Sequence, residues 1–460
     1  MSASPRARFA SKGGMRFSLK LVIFCCLIAA VSLLVWSCGS RSSMRTSASP
    51  ATAVPVAPKR TLPPLPSRPL SKEMQAVRAR TMGVAANLRE LPFDGGEVGM
   101  AELSGWEYGT RTREMAETLG GDELRALSRL AGAGGVLPEG TDLATLAASF
   151  TAVSAGATYS PLDKQVLLVG KPKSDSLLTH EMVHALQDQH FDLMKLLFVR
   201  PYDFDRTEAV FALIEGDAMN VQRRMEEGEA YGRKPLEEIT RQEGARFGEY
   251  RQQVEKLFPP LLTETFIFRY RDGARFVEAV RRKEGERGVD NLFLHPPASS
   301  EQILHPEKLA AGELPREVRL SEDEFAQSGW RSVTSTPLGE IGVRGLLMAG
   351  VNRETAVRAA AGWGGDRAYL FERAQSAPLF VWKSVWDKQT DADEFFRAYN
   401  QLERARGSKA ANDAALLANS TQLLWTDGER FTIVERDGET VFIIRGSQQD
   451  VVPALKLAQR

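Results

Sequence analysis

Residues 180–184 read His180-Glu181-Met182-Val183-His184, and this spacing constrains the fold more than any other feature of the chain. Two residues four apart on an α-helix lie about 40° apart around its axis, one turn up. The two imidazoles therefore converge and can share one divalent cation. Glu181, beside the first histidine, reaches a water on that ion. The spacing predicts a helix here and a second element that brings a third ligand, because a catalytic zinc site takes three protein ligands and leaves one position to water.

The third ligand must be His, Asp or Glu. The run Ala212-Leu213-Ile214-Glu215-Gly216-Asp217-Ala218 falls in a helix predicted over 205–230. Glu215 leads the candidates, with Glu208, Asp217 and His190 as competitors. Asp217 has another possible role, accepting the outer N–H of a ligand histidine. Gly216 costs helix stability, and close approach to the metal-bearing helix would explain it. Glu181 is expected not to bind metal. It takes a proton from a water whose pKa the ion lowers to about 7, then passes it to a leaving amine. An oxyanion in such a reaction needs a second donor. Tyr270, read as preceding a turn into a helix over 273–285, and His305 are the candidates. His190 and His295 read as structural or exposed.

The N-terminus addresses the chain. Leu19 to Trp36 is an apolar run preceded by Arg6, Arg8, Lys12 and Arg16, the pattern of a secretory signal. Met15 offers a second start. Val35-Trp36-Ser37-Cys38-Gly39 has the form of a bacterial lipobox, which predicts cleavage before Cys38 and a lipid on its sulfur. A plain membrane anchor is the other reading, with the run near the lower length limit for spanning. The three cysteines are Cys25, Cys26 and Cys38. The folded part thus has no thiol to pair, and no disulfide framework is expected. The chain carries 59 basic and 59 acidic residues. Removing residues 1–37 takes away five basic residues and no acidic one, leaving a net acidic protein. Nothing in this balance argues for nucleic acid.

Seven prolines fall between Pro50 and Pro69, so residues 38–70 read as a semi-stiff disordered tether. Helical patterning begins at the cap Ser71 and runs to about Glu90, then recurs over 110–119, 121–131 and 142–150. Strands are predicted over 151–159 and 165–169, joined as a hairpin, with the HEMVH helix after them. Further helices are expected over 236–258, 339–350, 354–361 and 391–405. Strands are expected over 378–386, 421–426, 430–435 and 440–445, with a closing helix. Trp363-Gly364-Gly365-Asp366-Arg367 reads as a turn, and Trp382 and Trp386 as core. The fold class expected is α+β: a mostly helical domain with a small sheet over 71–335, and a small α+β subdomain over 336–460.

Taken together, HEMVHALQDQHFD, ALIEGDA, Tyr270-x-x-Gly273, SSEQILHPEK and WGGDR make the chain resemble a group of bacterial HExxH lipoproteins of the glutamate-type zincin (gluzincin) class, from about residue 75 to 445. The resemblance implies a zincin-like catalytic domain, Zn2+ held by His180, His184 and Glu215, and Glu181 as base. Better-known gluzincins often place Asp four residues after the ligand glutamate, whereas Met219 stands here. The expected function is a zinc-dependent peptidase acting on a peptide or protein substrate. It is expected at the cell envelope, held to the membrane by a lipid on Cys38, at the outer membrane on its periplasmic side or at the surface. The alternatives are a non-catalytic binding or assembly module and a cell-wall peptide amidase.

Overall fold

The computed structural model describes residues 54–55, 62–146, 149, 156–170, 174–200, 202–411 and 421–460. The expected signal 1–37, with Cys25 and Cys26, lies outside the described residues. So do Cys38, most of the tether, the end of the 142–150 helix and the start of the 151–159 strand. Among the described residues no helix is long and apolar enough to cross a membrane.

The fold is α+β. Four helices form its centre: α1 (Lys72–Arg89), α3 (Asp175–Phe191), α4 (Phe204–Glu227) and α6 (Pro260–Leu294), with α2 (Gly105–Ala133) and α5 (Leu236–Arg246) flanking them. Serines set three of the starts. Ser71, Ser104 and Ser174 each accept a backbone N–H with the side chain, and Ser104 completes a capping box with Glu107. Every residue of α3 from Leu177 to Asp188 is buried. A helix covered on all sides is central rather than amphipathic, and this one carries the HEMVH run.

A three-stranded sheet lies against α3. Strand β1 (Gly99–Leu103) runs parallel to β3 (Gln165–Val169), and β3 pairs antiparallel with β2 (Ala157–Ser160). The expected hairpin is β2–β3, while β1 had no counterpart in the sequence reading. The second sheet has seven strands in the order β4-β5-β6-β10-β9-β8-β7. They are β4 (Arg331–Thr336), β5 (Trp363–Glu372), β6 (Leu379–Trp386), β7 (Lys409–Ala410), β8 (Gln422–Thr426), β9 (Phe431–Asp437) and β10 (Thr440–Gly446). All neighbours are antiparallel. Side chains alternate between its two faces. Leu370, Phe380, Trp382 and Ile443 join the core shared with helices α4 and α8 (Gln389–Ala405). Phe371, Val381, Phe442 and Ile444 pack beneath α9 (Gln448–Ala458). Burial on both faces explains the near-continuous apolar runs of β6 and β10.

Three local expectations need correction. α2 runs unbroken through Gly120-Gly121, where the sequence pattern predicts two helices. The WGGDR run is the start of strand β5, not a turn. Its glycines make room for a neighbouring segment: a Cβ on Gly365 would collide with the Arg316 backbone, which pairs through Arg316 N–H and Gly364 O at 2.7 Å. Tyr270 sits inside α6, whose helix begins at Pro260 and bends at Gly285 (φ 71°), not at a turn before residue 273.

Gly273 and Gly216 let that long helix lie directly against α4. A Cβ on Gly216 would strike the backbone of Gly273, and one on Gly273 would strike Ala212 O. Helices α4 and α6 therefore cross with their backbones in contact. Asn220 Nδ2 donates to Ala274 O at 3.2 Å beside the crossing. The close approach expected at Gly216 is real, but its partner is α6 and not the metal-bearing helix.

Candidate metal centre

α3 presents His180 and His184 on one face, and α4 lays Glu215 against it. The Nε2 atoms of the two histidines are 3.0 Å apart. Glu215 Oε2 is 3.2 Å from His180 Nε2 and 3.5 Å from His184 Nε2. For metal–ligand bonds of about 2.0–2.1 Å, tetrahedral geometry spaces the ligand atoms about 3.3–3.4 Å apart. The three observed edges bracket that value. Two imine lone pairs at 3.0 Å repel, so an electron-poor centre, a proton or a cation, has to lie between them. The donor set and spacing fit Zn2+.

The charges respond to this crowding. Burial pushes the His180 imidazole down, although Glu215 opposes it. Burial would lower His184 too, but the Glu215 carboxylate outweighs it and carries that ring up to about 9. Burial would raise Glu215, and the neighbouring imidazoles instead bring it to about 2. Without a metal the trio thus holds a proton that a cation would displace on binding.

Glu181 stands apart from the ligands. Its Oε2 accepts the backbone N–H of Tyr159 on β2 at 2.7 Å, while Oε1 is buried and has no hydrogen-bond partner among the described residues. Burial raises its carboxyl to about 8. One oxygen is fixed on the sheet edge and the other is uncommitted. Tyr270 also lies at the site, its ring stacked near His180 with centroids 6.4 Å apart.

The remaining candidates are engaged elsewhere. Glu208 forms a two-pronged ion pair with Arg269 at 2.6 and 2.7 Å. His190 Nε2 bonds Pro92 O at 2.7 Å. His305 caps the short helix α7 (Ser300–Leu304), and its Nε2 pairs with Glu340 at 3.0 Å; no contact joins it to the triad. Asp217 does not touch a histidine. It accepts from Arg89 Nε at 2.8 Å and from Gln187 Nε2 at 3.0 Å. Gln187 is the residue that meets His184, with Oε1 2.8 Å from Nδ1. Sequence reasoning passed over Gln187, although it lies three residues past His184 and so on the same helical face. Arg89, on a distant helix, left no signal.

All four central side chains are buried, with His180, Glu181, His184 and Glu215 at most 2% exposed. A second cluster, Glu301, Glu313 and Asp387, already surrounds an ammonium. Lys308 Nζ lies 2.7 Å from each of them.

Comparison with known proteins reaches only the C-terminal part of the chain, the large sheet and the helices packed on it. Residues 324–456 match a domain of unknown function, DUF8575, a stretch that excludes α3 and α4. No curated protein and no solved structure matches the chain.

Proposed function

We propose that the chain is a zinc-dependent peptidase with a zincin-like catalytic half, anchored at the cell envelope by a lipid on Cys38. The observation that carries the reading is the His180–His184–Glu215 triangle beside a glutamate left out of it. A site built only to brace a fold has no need of that fourth group. Bound zinc would supply Lewis acidity, lowering the pKa of a water and polarising a carbonyl. A cation at the triangle would favour the ionised form of Glu181, and that carboxylate takes the proton of the attacking water at Oε1 and returns it to the leaving nitrogen. Its Oε2 remains on the Tyr159 N–H, so the carboxylate does not swing away between the two transfers. Tyr270, whose ring stacks near His180, would donate to the developing oxyanion. The hairpin that leads into α3, with β2 holding Glu181, agrees with the zincin resemblance.

A second reading has its own support. The depth of the four side chains favours a structural metal in a binding module. The readings separate on Glu181→Gln in the full chain. A peptidase keeps one zinc and loses about 10²–10⁴ in rate on a peptide library. If wild type holds zinc and cleaves no peptide, the binding module stands in its place. If only cell-wall peptides are cut, the amidase does.

A further inference from the structure

Gln187 has its amide orientation dictated by its surroundings. Nε2 lies 3.0 Å from Ile214 O and 3.0 Å from Asp217 Oδ2. Both are acceptors, so that end of the amide must be the NH2 group. Asp217 is in turn an acceptor only, paired with the buried guanidinium of Arg89 at 2.8 Å. Arg89 is 0% exposed and is held from its other side by Asp290 at 2.6 Å and Glu286 at 3.2 Å. The amide oxygen is left facing His184 Nδ1 at 2.8 Å. An oxygen with no hydrogen can bond Nδ1 only if the nitrogen carries one. Nδ1 thus carries a hydrogen, and in the neutral ring that a cation would bind the lone pair falls on Nε2, toward His180 and Glu215. His180 Nδ1 has no hydrogen-bond partner among the described residues, so only one of the two rings is set this way.

We propose that Arg89, Asp217 and Gln187 form a positioning relay that fixes the tautomer and angle of His184 for the metal, acting from α1 through α4 into α3. The relay rests on the zinc reading above. It touches neither the ion nor a substrate, and its effect is on how tightly the ion is held. An ordinary acceptor at position 187 would not serve. A carboxylate there would accept from Nδ1 but would face Ile214 O and Asp217 with no hydrogen to offer.

The test is the zinc affinity of the full chain, by competition with a chromophoric chelator, with the cobalt absorption spectrum as a second readout of tetrahedral geometry. Gln187→Leu should weaken zinc by about 10–100-fold and disturb the cobalt bands while the metal-free chain stays folded. Gln187→Glu should also weaken it by about 10-fold or more. Adding Asp217→Asn to Gln187→Glu should recover part of that loss, because the new amide can donate to the new carboxylate. A merely structural role would change melting temperature and leave affinity alone. Wild-type affinity in Gln187→Leu, or simply additive losses in the double variant, overturns the relay while leaving the zinc reading in place. A wild-type chain that takes up neither zinc nor cobalt overturns both.

Discussion

Glu215 and Gln187 show how unevenly single residues can be read from a sequence. The place of Glu215 beside the two histidines was legible because it depends on residue type and on lying in the helix after HEMVH. Gln187 was not, because an amide means nothing until its neighbours choose which end donates, and Arg89 stands 128 residues from Asp217 in the chain. His305, an oxyanion-donor candidate in sequence, is engaged by a buried carboxylate on a later helix, Glu340, a partner that its own neighbours in the chain do not announce. Two predictions belong at this scale. Tyr270→Phe should keep full zinc and lower the rate by about 10²-fold, measured as kcat on any peptide that wild type cleaves; an unchanged kcat would remove Tyr270 from the reaction. Glu215→Gln should weaken zinc strongly without unfolding the chain, as read by bound metal per chain and by circular dichroism.

Among the elements, helices with caps and apolar periods were placed within a few residues, α1, α3 and α4 among them. The failures cluster at glycine. Gly120, Gly121, Gly273, Gly364 and Gly365 all read as turns or breaks, yet each lies within a helix or strand. Glycine serves both positive φ and close approach, and the sequence does not say which. At Gly216 and Gly273 the need is space. Gly273→Ala should therefore cost about 1–3 kcal/mol in denaturant titration, by forcing α6 off α4, and zinc affinity should fall with it because Glu215 rides on α4. A neutral Gly273→Ala would mean that the crossing is looser than the packing requires.

For the whole molecule, the α+β class and most of the large sheet were readable, because β6, β9 and β10 have unmistakable apolar runs. Strand β1 and the joining of helices to the sheet through one shared core were not, since they depend on contacts far apart in the chain. One buried carboxylate ties such distant parts together. Glu264 on α6 meets Arg251, Arg271, Arg353 and Arg344. Burial would raise its carboxyl, but these guanidinium groups hold it at about 2 against an ordinary value of 4.5. Its folded value lies below its unfolded one, so the stabilisation is complete above about pH 4.5 and is lost as pH falls toward 2. Glu264→Gln should cost about 3 kcal/mol at pH 7, and the gap from wild type should close on acidification; a gap that stays constant with pH would contradict this assignment. The proposed chemistry of the whole molecule turns on the metal. Counting zinc in the purified full chain by mass spectrometry, for wild type and for His180→Ala, tests it most directly. One zinc per wild-type chain and almost none in the variant is the result expected. No zinc in wild type, or equal zinc in both, would contradict it.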